Sequence, residues 1–397
     1  MMYSNQTWIW QQPDWPKFVW DANELSNSLA QARLAQGKLQ GAAQILNADL
    51  SSEALASILI QDGITTSAIE GERLHVDAVR SSVANQLGLS NVGLPKPDRA
   101  IDGLVEVLLD ATQKHNQPLT LQRLCNWHGA LFPTGYSGLR EIRVGQMRGA
   151  EPMRVVSGRI GHETVHFEAP PYEQIDTEIS RFIDWFNSDD SKALDGLIRA
   201  GVAHLWFITI HPFEDGNGRI ARAITDMALA QDERLTMRLF SLSAQILAVR
   251  EAYYNILEST QKGEMDITAW LKWFLTQIQN AVELAQLTVA NTLNKAKFWM
   301  THQNQPLNER QRKALNRMLD AKDVFEGGMN TRKYMSLTKT SRATAYRELV
   351  QLVEWGCLQA NEKGGRSSGY VLVNSKTDRS YKLCKNFKNI NRTLLNL

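Results

Sequence analysis

Residues 211–222 read HPFEDGNGRIAR and place a histidine, two acids, two glycines and two arginines in one short segment. An apolar run precedes this segment and an amphipathic pattern follows it, which predicts a tight loop between two helices. Gly216 and Gly218 let the backbone approach a bound group, and Arg219 and Arg222 add positive charge. Because the start of the second helix also offers unpaired amides, the segment suits a polyphosphate.

Two other side chains in the segment point to chemistry rather than binding alone. His211, whose residue type titrates close to neutral pH, is a candidate to accept a proton from an incoming hydroxyl. Asp215 offers the hard oxygen ligand with which Mg²⁺ bridges phosphates. An ordinary helix break with surface ion pairs is the alternative; it explains each residue singly but not all of them together.

The segment matches the Fic motif, HPFx(D/E)GNGRxxR, at every specified position, so the chain resembles the Fic family. The resemblance implies a mainly α fold: a Fic helical core with a short β-hairpin flap. It also implies a protein adenylyltransferase that moves AMP from ATP to a Ser, Thr or Tyr hydroxyl of a target protein or of itself. ATP would be the substrate and Mg²⁺ the cofactor.

By this resemblance, His211 is the catalytic base and Asp215 the metal ligand. Asn217 and the neighbouring amides would hold the phosphates, the two arginines would position the β- and γ-phosphates, and Phe213 would anchor the loop in the core. The implied ATP-binding residues are Glu70, His211, Pro212, Phe213, Glu214, Asp215, Gly216, Asn217, Gly218, Arg219, Arg222 and Ser243.

Residues 65–71, TTSAIEG, carry a second motif. Thr66 and Glu70 stand one helical turn apart and fit the family's inhibitory pattern (S/T)xxxE(G/N). The resemblance implies that Glu70 pairs with Arg222 and withholds this arginine from the γ-phosphate. A plain helix C-terminus that stops at Gly71 is the alternative.

Residues 155–169 contain two β-rich runs around a glycine-bearing turn, which predicts a hairpin. By resemblance this hairpin is the flap on which a target segment docks through edge-strand pairing. The resemblance also implies that Ser243 and Tyr254, downstream of the motif, contact the adenine ring; core packing is the alternative for both residues.

Composition indicates an ordinary globular protein: 397 residues, 43% of them hydrophobic and 22% charged. Three cysteines without a CxxC pair argue against a disulfide framework and a zinc site. No signal peptide or membrane span is expected, so we predict a cytoplasmic location. The net charge of +2 is too small to indicate nucleic-acid binding by the whole chain.

Four regions are predicted along the chain. Residues 1–94 form a tryptophan-rich helical domain that carries the inhibitory helix, and residues 95–300 form the Fic core. A winged helix-turn-helix domain follows over 305–375, and 376–397 is a basic tail. The predicted helices of the first two regions cover 21–46, a segment ending near 70, 78–87, 99–114, 121–131, 172–187 and 194–210.

Residues 307–373 read helix, helix, turn, helix and two strands, the order of a winged helix. The predicted recognition helix carries Ser341, Arg342, Thr344, Tyr346 and Arg347, and the predicted wing carries Lys363 and Arg366. These charges favour contact with DNA phosphates, whereas appended winged helices also bind proteins; both partners stay open.

Two other activities compete with AMP transfer. Glu70 could orient a water, which would make the chain an enzyme that removes AMP from proteins. Alternatively, the core senses nucleotide for a DNA-binding regulator. Association as a homodimer is also left open.

Overall fold

The structure is a computed structural model that describes residues 7–44, 48–159, 162–234, 238–320, 328–360 and 369–373. The chain divides into two compact units, Met1–Gln286 and Leu287–Leu397. The predicted domain boundaries at 94 and 300 stay predictions. Lys363, Arg366, Cys384 and the tail 376–397 lie outside the described residues.

The first unit is built almost entirely from helices. After a short 3-10 helix at Ile9–Gln11, its helices are α1 (Ala22–Ala43), α2 (Ala48–Ile69), α3 (Val76–Gln86), α4 (Arg99–Gln113), α5 (Leu121–Leu131), α6 (Tyr172–Asn187), α7 (Asp189–Ala193), α8 (Gly196–Ile210), α9 (Asn217–Glu233), α10 (Leu242–Ala248), α11 (Arg250–Gln261) and α12 (Thr268–Thr301), the last of which continues beyond Gln286. Two antiparallel hairpins interrupt the helices: β1 (Tyr136–Ser137) with β2 (Arg140–Glu141), and β3 (Arg154–Arg159) with β4 (His162–Glu168).

Helix α8 forms the centre of this unit. All of its residues are buried, and it packs along α9, so the two helices on either side of residues 211–216 are fixed by the core. Asp195 caps α8 by accepting the N–H of Leu197 at 2.9 Å. The helix predicted over 194–210 is confirmed as α8, whereas the short α7 was not predicted.

Helix α2 ends in a Schellman turn. Gly71 adopts a left-handed φ of +86°, its N–H donates to the carbonyl of Ala68, and the N–H of Glu72 donates to the carbonyl of Ser67. Glu70 and Glu72 therefore leave the helix end on the two sides of Gly71. The predicted stop at Gly71 is confirmed.

The tryptophan-rich start packs onto the rest of the first unit. Trp8 meets Phe167 of β4 edge to face at 5.4 Å, and the indole of Trp10 donates to the Glu168 carbonyl at 2.7 Å. Trp15 donates to Glu178 of α6 at 2.7 Å. The aromatic cluster thus fastens the N-terminus to the β3–β4 hairpin and to α6.

The second unit places α13 (Glu309–Asp320), α14 (Thr331–Thr338) and α15 (Arg342–Glu354) before the short antiparallel pair β5 (Leu358–Ala360) and β6 (Tyr370–Leu372). Its core includes Leu315, Tyr334 and Leu349, none of which is exposed to solvent. The observed order of helices and strands is the predicted one, and the assignment as a winged helix-turn-helix stays a prediction.

Within the described residues, no helix is both long enough and apolar enough to cross a membrane.

Candidate active site

Residues 211–216 form the predicted loop between α8 and α9, and residues 217–222 form the first turns of α9. His211 ends α8 in the left-handed conformation, with φ of 52°, and Gly216 precedes α9 with φ of 77°. A Cβ on Gly216 would lie 2.8 Å from the ring of Phe132, so only glycine fits this turn. The two left-handed residues reverse the chain within five positions.

Asn217 closes this loop from inside. Its side-chain oxygen accepts the N–H of Phe213 at 3.0 Å, and its amide donates to the Phe213 carbonyl at 2.8 Å. Asn217 is buried, so both ends of its amide are committed to holding the loop shape. Its predicted contact with phosphates stays a prediction.

Phe213 anchors the loop in the core, as predicted from the resemblance. Its ring is fully buried and stacks on His128 of α5, with ring centroids 4.4 Å apart. His128 accepts the N–H of Gly145 through Nδ1 at 2.9 Å, and burial lowers the pKa of its imidazole to about 4. A neutral histidine therefore supports Phe213, although no sequence pattern singled it out.

His211 holds its ring in one orientation. Nδ1 lies 3.1 Å from the carbonyl oxygen of Ile208, and because a carbonyl only accepts, Nδ1 carries the proton. Nε2 is then the basic nitrogen. Burial lowers the pKa of His211, so the imidazole is neutral at physiological pH and able to take up a proton.

Arg148 is a site residue that the sequence did not reveal. Its side chain is buried, Nε donates to the carbonyl of His211 at 2.9 Å, and Nη2 donates to the carbonyl of Pro170 just after β4. Its backbone N–H also donates to the carbonyl of Pro212 at 2.8 Å. One residue therefore ties the loop between α8 and α9 to the base of the β3–β4 hairpin.

The acids of the motif face the β1–β2 region. Ser137 of β1 donates a hydrogen bond to Oδ2 of Asp215, whose Oδ1 accepts the N–H of Gly216 at 2.5 Å. Glu214 accepts the N–H of Arg143 at 3.2 Å. Asp215 is thus oriented by its neighbours, and Ser137 is a second contact that the sequence did not predict.

Arg222 binds the end of α2 through three hydrogen bonds. Nε donates to the hydroxyl of Thr66 at 2.7 Å, and Nη2 donates to the Thr66 carbonyl at 2.9 Å and to Oε1 of Glu70 at 2.8 Å. Arg222 is buried with only 3% of its side chain exposed. The structure brings together Thr66, Glu70 and Arg222, as the two motifs predicted.

A second acid at the end of α2, Glu72, contacts the other arginine of the motif, Arg219. Oε2 of Glu72 lies 3.2 Å from Nη1 of Arg219, whose guanidinium also stacks over the ring of Phe132 at 4.8 Å. Glu72 lies outside both sequence motifs. The Schellman turn thus directs one carboxylate to each arginine of the motif.

Each of the two arginines has one buried N–H group that is left without an acceptor in the described part of the chain. Nε of Arg219 and Nη1 of Arg222 are buried without a hydrogen-bond partner among the residues that the structure describes. Buried guanidinium N–H groups without acceptors are costly, so the site has unused capacity for an anion.

The candidate adenine contacts lie on the two helices that follow α9. Ser243 is buried in α10, and Tyr254 of α11 donates to the carbonyl of Ile69 at 3.2 Å. Arg250 donates to the same carbonyl at 2.6 Å. Tyr254 and Arg250 therefore cap the end of α2, whereas contacts of Ser243 and Tyr254 with adenine stay predictions.

The β3–β4 hairpin is the predicted flap. Nδ1 of His166 lies 2.8 Å from Oε2 of Glu258 on α11, and Nε2 lies 2.6 Å from the hydroxyl of Ser157 across the hairpin. Val155 and Val156 are 36% and 48% exposed. The hairpin is thus attached to α11 while apolar side chains of β3 face solvent.

Comparison with known proteins identifies two regions. Residues 118–229 match the Fic/DOC family, and residues 8–89 match a domain of unknown function, DUF4172. The chain is 24% identical to protein adenylyltransferase fic-1 of Caenorhabditis elegans over 253 residues. These residues are 62% of this chain and 45% of that protein. It is 30% identical to a probable protein adenylyltransferase of Aquifex aeolicus over 96 residues, and this aligned stretch is 24% of this chain and 29% of that protein. The chain thus spans less than half the length of these relatives.

Two solved structures share the fold. A Fic family protein from Desulfovibrio desulfuricans matches 89% of this chain and 97% of its own, with a TM-score of 0.52 and 19% identity. A Fic domain containing signaling protein from Bacteroides thetaiotaomicron matches 66% of this chain and 97% of its own, with a TM-score of 0.51 and 18% identity. With the complete motif on its loop and the match over residues 118–229, this part of the chain is a Fic/DOC domain.

Proposed function

We propose that this chain is a protein adenylyltransferase that transfers AMP from ATP to a Ser, Thr or Tyr hydroxyl and is restrained by Glu70. The observation that carries the proposal is the state of His211: its Nδ1 is hydrogen-bonded to Ile208, and its neutral Nε2 is free to act as a base just before the helix that carries Arg219 and Arg222. Relatives named as adenylyltransferases support the same chemistry.

The proposed step is a displacement at phosphorus. The hydroxyl oxygen of the target attacks the α-phosphorus of ATP, and the bond from this phosphorus to the oxygen that bridges to the β-phosphate breaks. Pyrophosphate leaves, AMP stays on the target, and the hydroxyl proton passes to Nε2 of His211. Such reactions depend mainly on positioning and on neutralising charge, which Arg219 and Arg222 supply.

The residues of the loop also fit a divalent cation. Asp215 presents a carboxylate beside the start of α9, and oxygen ligands of this kind are those that Mg²⁺ prefers. We propose that Asp215 holds Mg²⁺, which would offset the negative charge of the phosphates. Ser137 orients the Asp215 carboxylate through its hydrogen bond.

The flap is the proposed docking site of the target segment. A two-stranded hairpin leaves the outer edge of each strand unpaired, and an extended segment adds to such an edge through backbone hydrogen bonds. Because backbone pairing does not select one side chain, this mode fits a protein target or a second copy of the chain acting on itself.

Glu70 is proposed to hold the enzyme in a restrained state. It occupies one N–H of Arg222, and Thr66 occupies two further bonding positions of the same guanidinium. An arginine held in this way cannot turn to the γ-phosphate without breaking charge-assisted hydrogen bonds. The contact with Arg222 favours restraint of AMP transfer over a role of Glu70 in activating water.

The test of the proposed reaction uses the Glu70→Gly protein, so that restraint does not mask activity. We expect α-labelled ATP to label proteins of a cell lysate or the enzyme itself, and γ-labelled ATP to leave no label, because the γ-phosphate departs with pyrophosphate. Adding His211→Ala should reduce labelling by at least ~10²-fold. His75→Ala, which removes an exposed histidine, is the matched control and should leave labelling unchanged. Full labelling without His211 would refute its assignment as the base.

A further inference from the structure

A basic surface covers the second and third helices of the C-terminal unit. From residue 331 to residue 354 the chain carries five basic residues and two acidic ones. The basic residues are Arg332, Lys333, Lys339, Arg342 and Arg347. Positive charge is therefore concentrated on α14, α15 and the turn between them, although the whole chain is close to neutral.

The two acids do not offset this charge on the surface. Glu348 is only 2% exposed and turns inward, where it accepts the hydroxyl of Tyr334 at 2.8 Å, the amide of Asn308 at 2.9 Å and the guanidinium of Arg310. Glu354 is the last residue of α15, at the far end of the helix from Arg342. The N-terminal half of α15 thus presents positive charge alone.

Helix α15 has one buried and one exposed face. Ala345, Leu349 and Leu352 are fully buried in the core of the unit, while Arg342, Tyr346 and Arg347 are exposed. Within the described residues, neither Arg342 nor Arg347 pairs with an acidic side chain. Both guanidinium groups are therefore available to an external partner.

The start of α15 is shaped for insertion into a groove. Lys339 ends α14 in the left-handed conformation, with φ of 53°, and Ser341 caps α15 by accepting the N–H of Thr344 at 3.3 Å. The tight turn places the capped N-terminus of α15 directly after α14. In helix-turn-helix proteins this part of the second helix enters the major groove, which is wide enough to admit an α-helix.

The composition of the surface favours nucleic acid over protein. In the described part of this unit, Met300 and Tyr346 are the only large hydrophobic side chains that are exposed. Protein interfaces need a cluster of buried apolar anchors, whereas DNA phosphates are contacted by arginine, lysine and hydroxyl side chains. We propose that the C-terminal unit binds duplex DNA, with α15 in the major groove and Arg342 and Arg347 in contact with phosphates or base edges. This binding is a function separate from AMP transfer.

The test measures binding of a fluorescent duplex of roughly 20 base pairs, two helical turns, to the full chain by polarisation. Affinity should fall steeply between about 50 mM and 200 mM salt, because phosphate contacts release counterions. The double variant Arg342→Gln/Arg347→Gln should bind about ten-fold more weakly or worse and lower the salt slope by about two.

The matched control is Lys313→Gln/Arg317→Gln on α13, which changes the net charge of the chain equally at two other exposed positions. It should bind like the parent protein, and thermal melting of both double variants shows whether the fold is intact. An equal loss of affinity in the two double variants would overturn the proposal, because it would mean attraction by overall charge. Absence of binding at low salt, or binding to an acidic polypeptide but not to the duplex, would also overturn it.

Discussion

Glu70 lies directly against Gly218: a Cβ built on Gly218 would stand 2.1 Å from Oε1 of Glu70 and 3.2 Å from Nη1 of Arg222. The glycine in the first turn of α9 therefore makes room for the carboxylate that binds Arg222. The start of a helix favours negative charge, so this carboxylate occupies surroundings that also suit a phosphate. The proposed restraint and the proposed binding of phosphate would thus use the same glycine and the same arginine.

Replacing Glu70 with glycine should activate AMP transfer. A hydrogen bond to a charged group contributes about 1.5–3 kcal/mol, so its loss should raise the population of Arg222 available to the γ-phosphate and increase self-labelling about ten-fold or more. The measurement is incorporation from α-labelled ATP at fixed enzyme concentration.

Arg222→Ala is the companion variant, because it also breaks the pair but removes the phosphate contact, and it should not activate. An enzyme that removes AMP with the help of Glu70 would respond in the opposite way: Glu70→Gly would lose the ability to release AMP from a labelled protein. An unchanged transfer rate in folded Glu70→Gly protein would eliminate the restraint by Glu70 without touching the proposed transfer reaction.

Replacing Glu72 with glutamine should increase AMP transfer less than Glu70→Gly does. The Glu72 side chain is 48% exposed, so solvent and salt screen its pair with Arg219. We expect a gain of about two-fold at low salt that disappears near 1 M salt, whereas the gain from Glu70→Gly persists because Arg222 is buried. Glu264→Gln, at an exposed acid after α11, serves as the control for the loss of one negative charge. A gain that is independent of salt would show that Glu72 acts in some other way.

The fold was largely predictable where helix ends carry local signals. Asp98 caps α4 and Thr120 caps α5 through their side chains, and the predicted starts of both helices are confirmed. The short helix α7 between α6 and α8 was missed, because its five residues are too few to show a helical period. Local patterns thus located most of the longer helices but not the short α7.

The site was predictable where its residues form a short motif, as in 211–222 and 65–71. Arg148, Ser137 and His128 were missed because each reaches the loop from a distant part of the chain and no local pattern marks it. Glu72 could have been predicted, because it is an acid two positions after Glu70 and follows a glycine at which the chain turns. Tertiary contact, rather than residue type, gives these four residues their role.

The pH dependence of transfer should reflect the lowered pKa of His211. Burial disfavours the imidazolium, so the pKa lies below the usual 6.5, and Glu70 is among the groups that act against this shift. The reaction needs the neutral base; its rate is therefore lost as pH falls through the lowered pKa and is constant above it. In the Glu70→Gly protein we expect a level rate from about pH 7 to 8 and a decline only below about pH 6.5.

Initial rates across this range provide the check, with melting temperatures at each pH to separate loss of the base from loss of the fold. A decline that already begins above pH 7 would contradict the neutral state of His211.

Replacing Arg148 with lysine should damage both stability and catalysis. The guanidinium donates to the carbonyls of His211 and Pro170, and an ammonium on a shorter, non-planar head cannot reproduce both bonds. The buried carbonyls would lose their donors, at a cost of about 1–3 kcal/mol each, so the melting temperature should fall by several degrees. Arg99→Lys, at an exposed arginine that begins α4, is the matched control and should melt like the parent protein. Arg148 holds the backbone that carries His211, so the Arg148→Lys protein should lose turnover more than ATP affinity. Equilibrium binding of ATP and labelling rates, both measured on the same folded sample, would distinguish the two losses. Equal losses in both, or an unchanged melting temperature, would show that Arg148 does not hold the loop and the flap together.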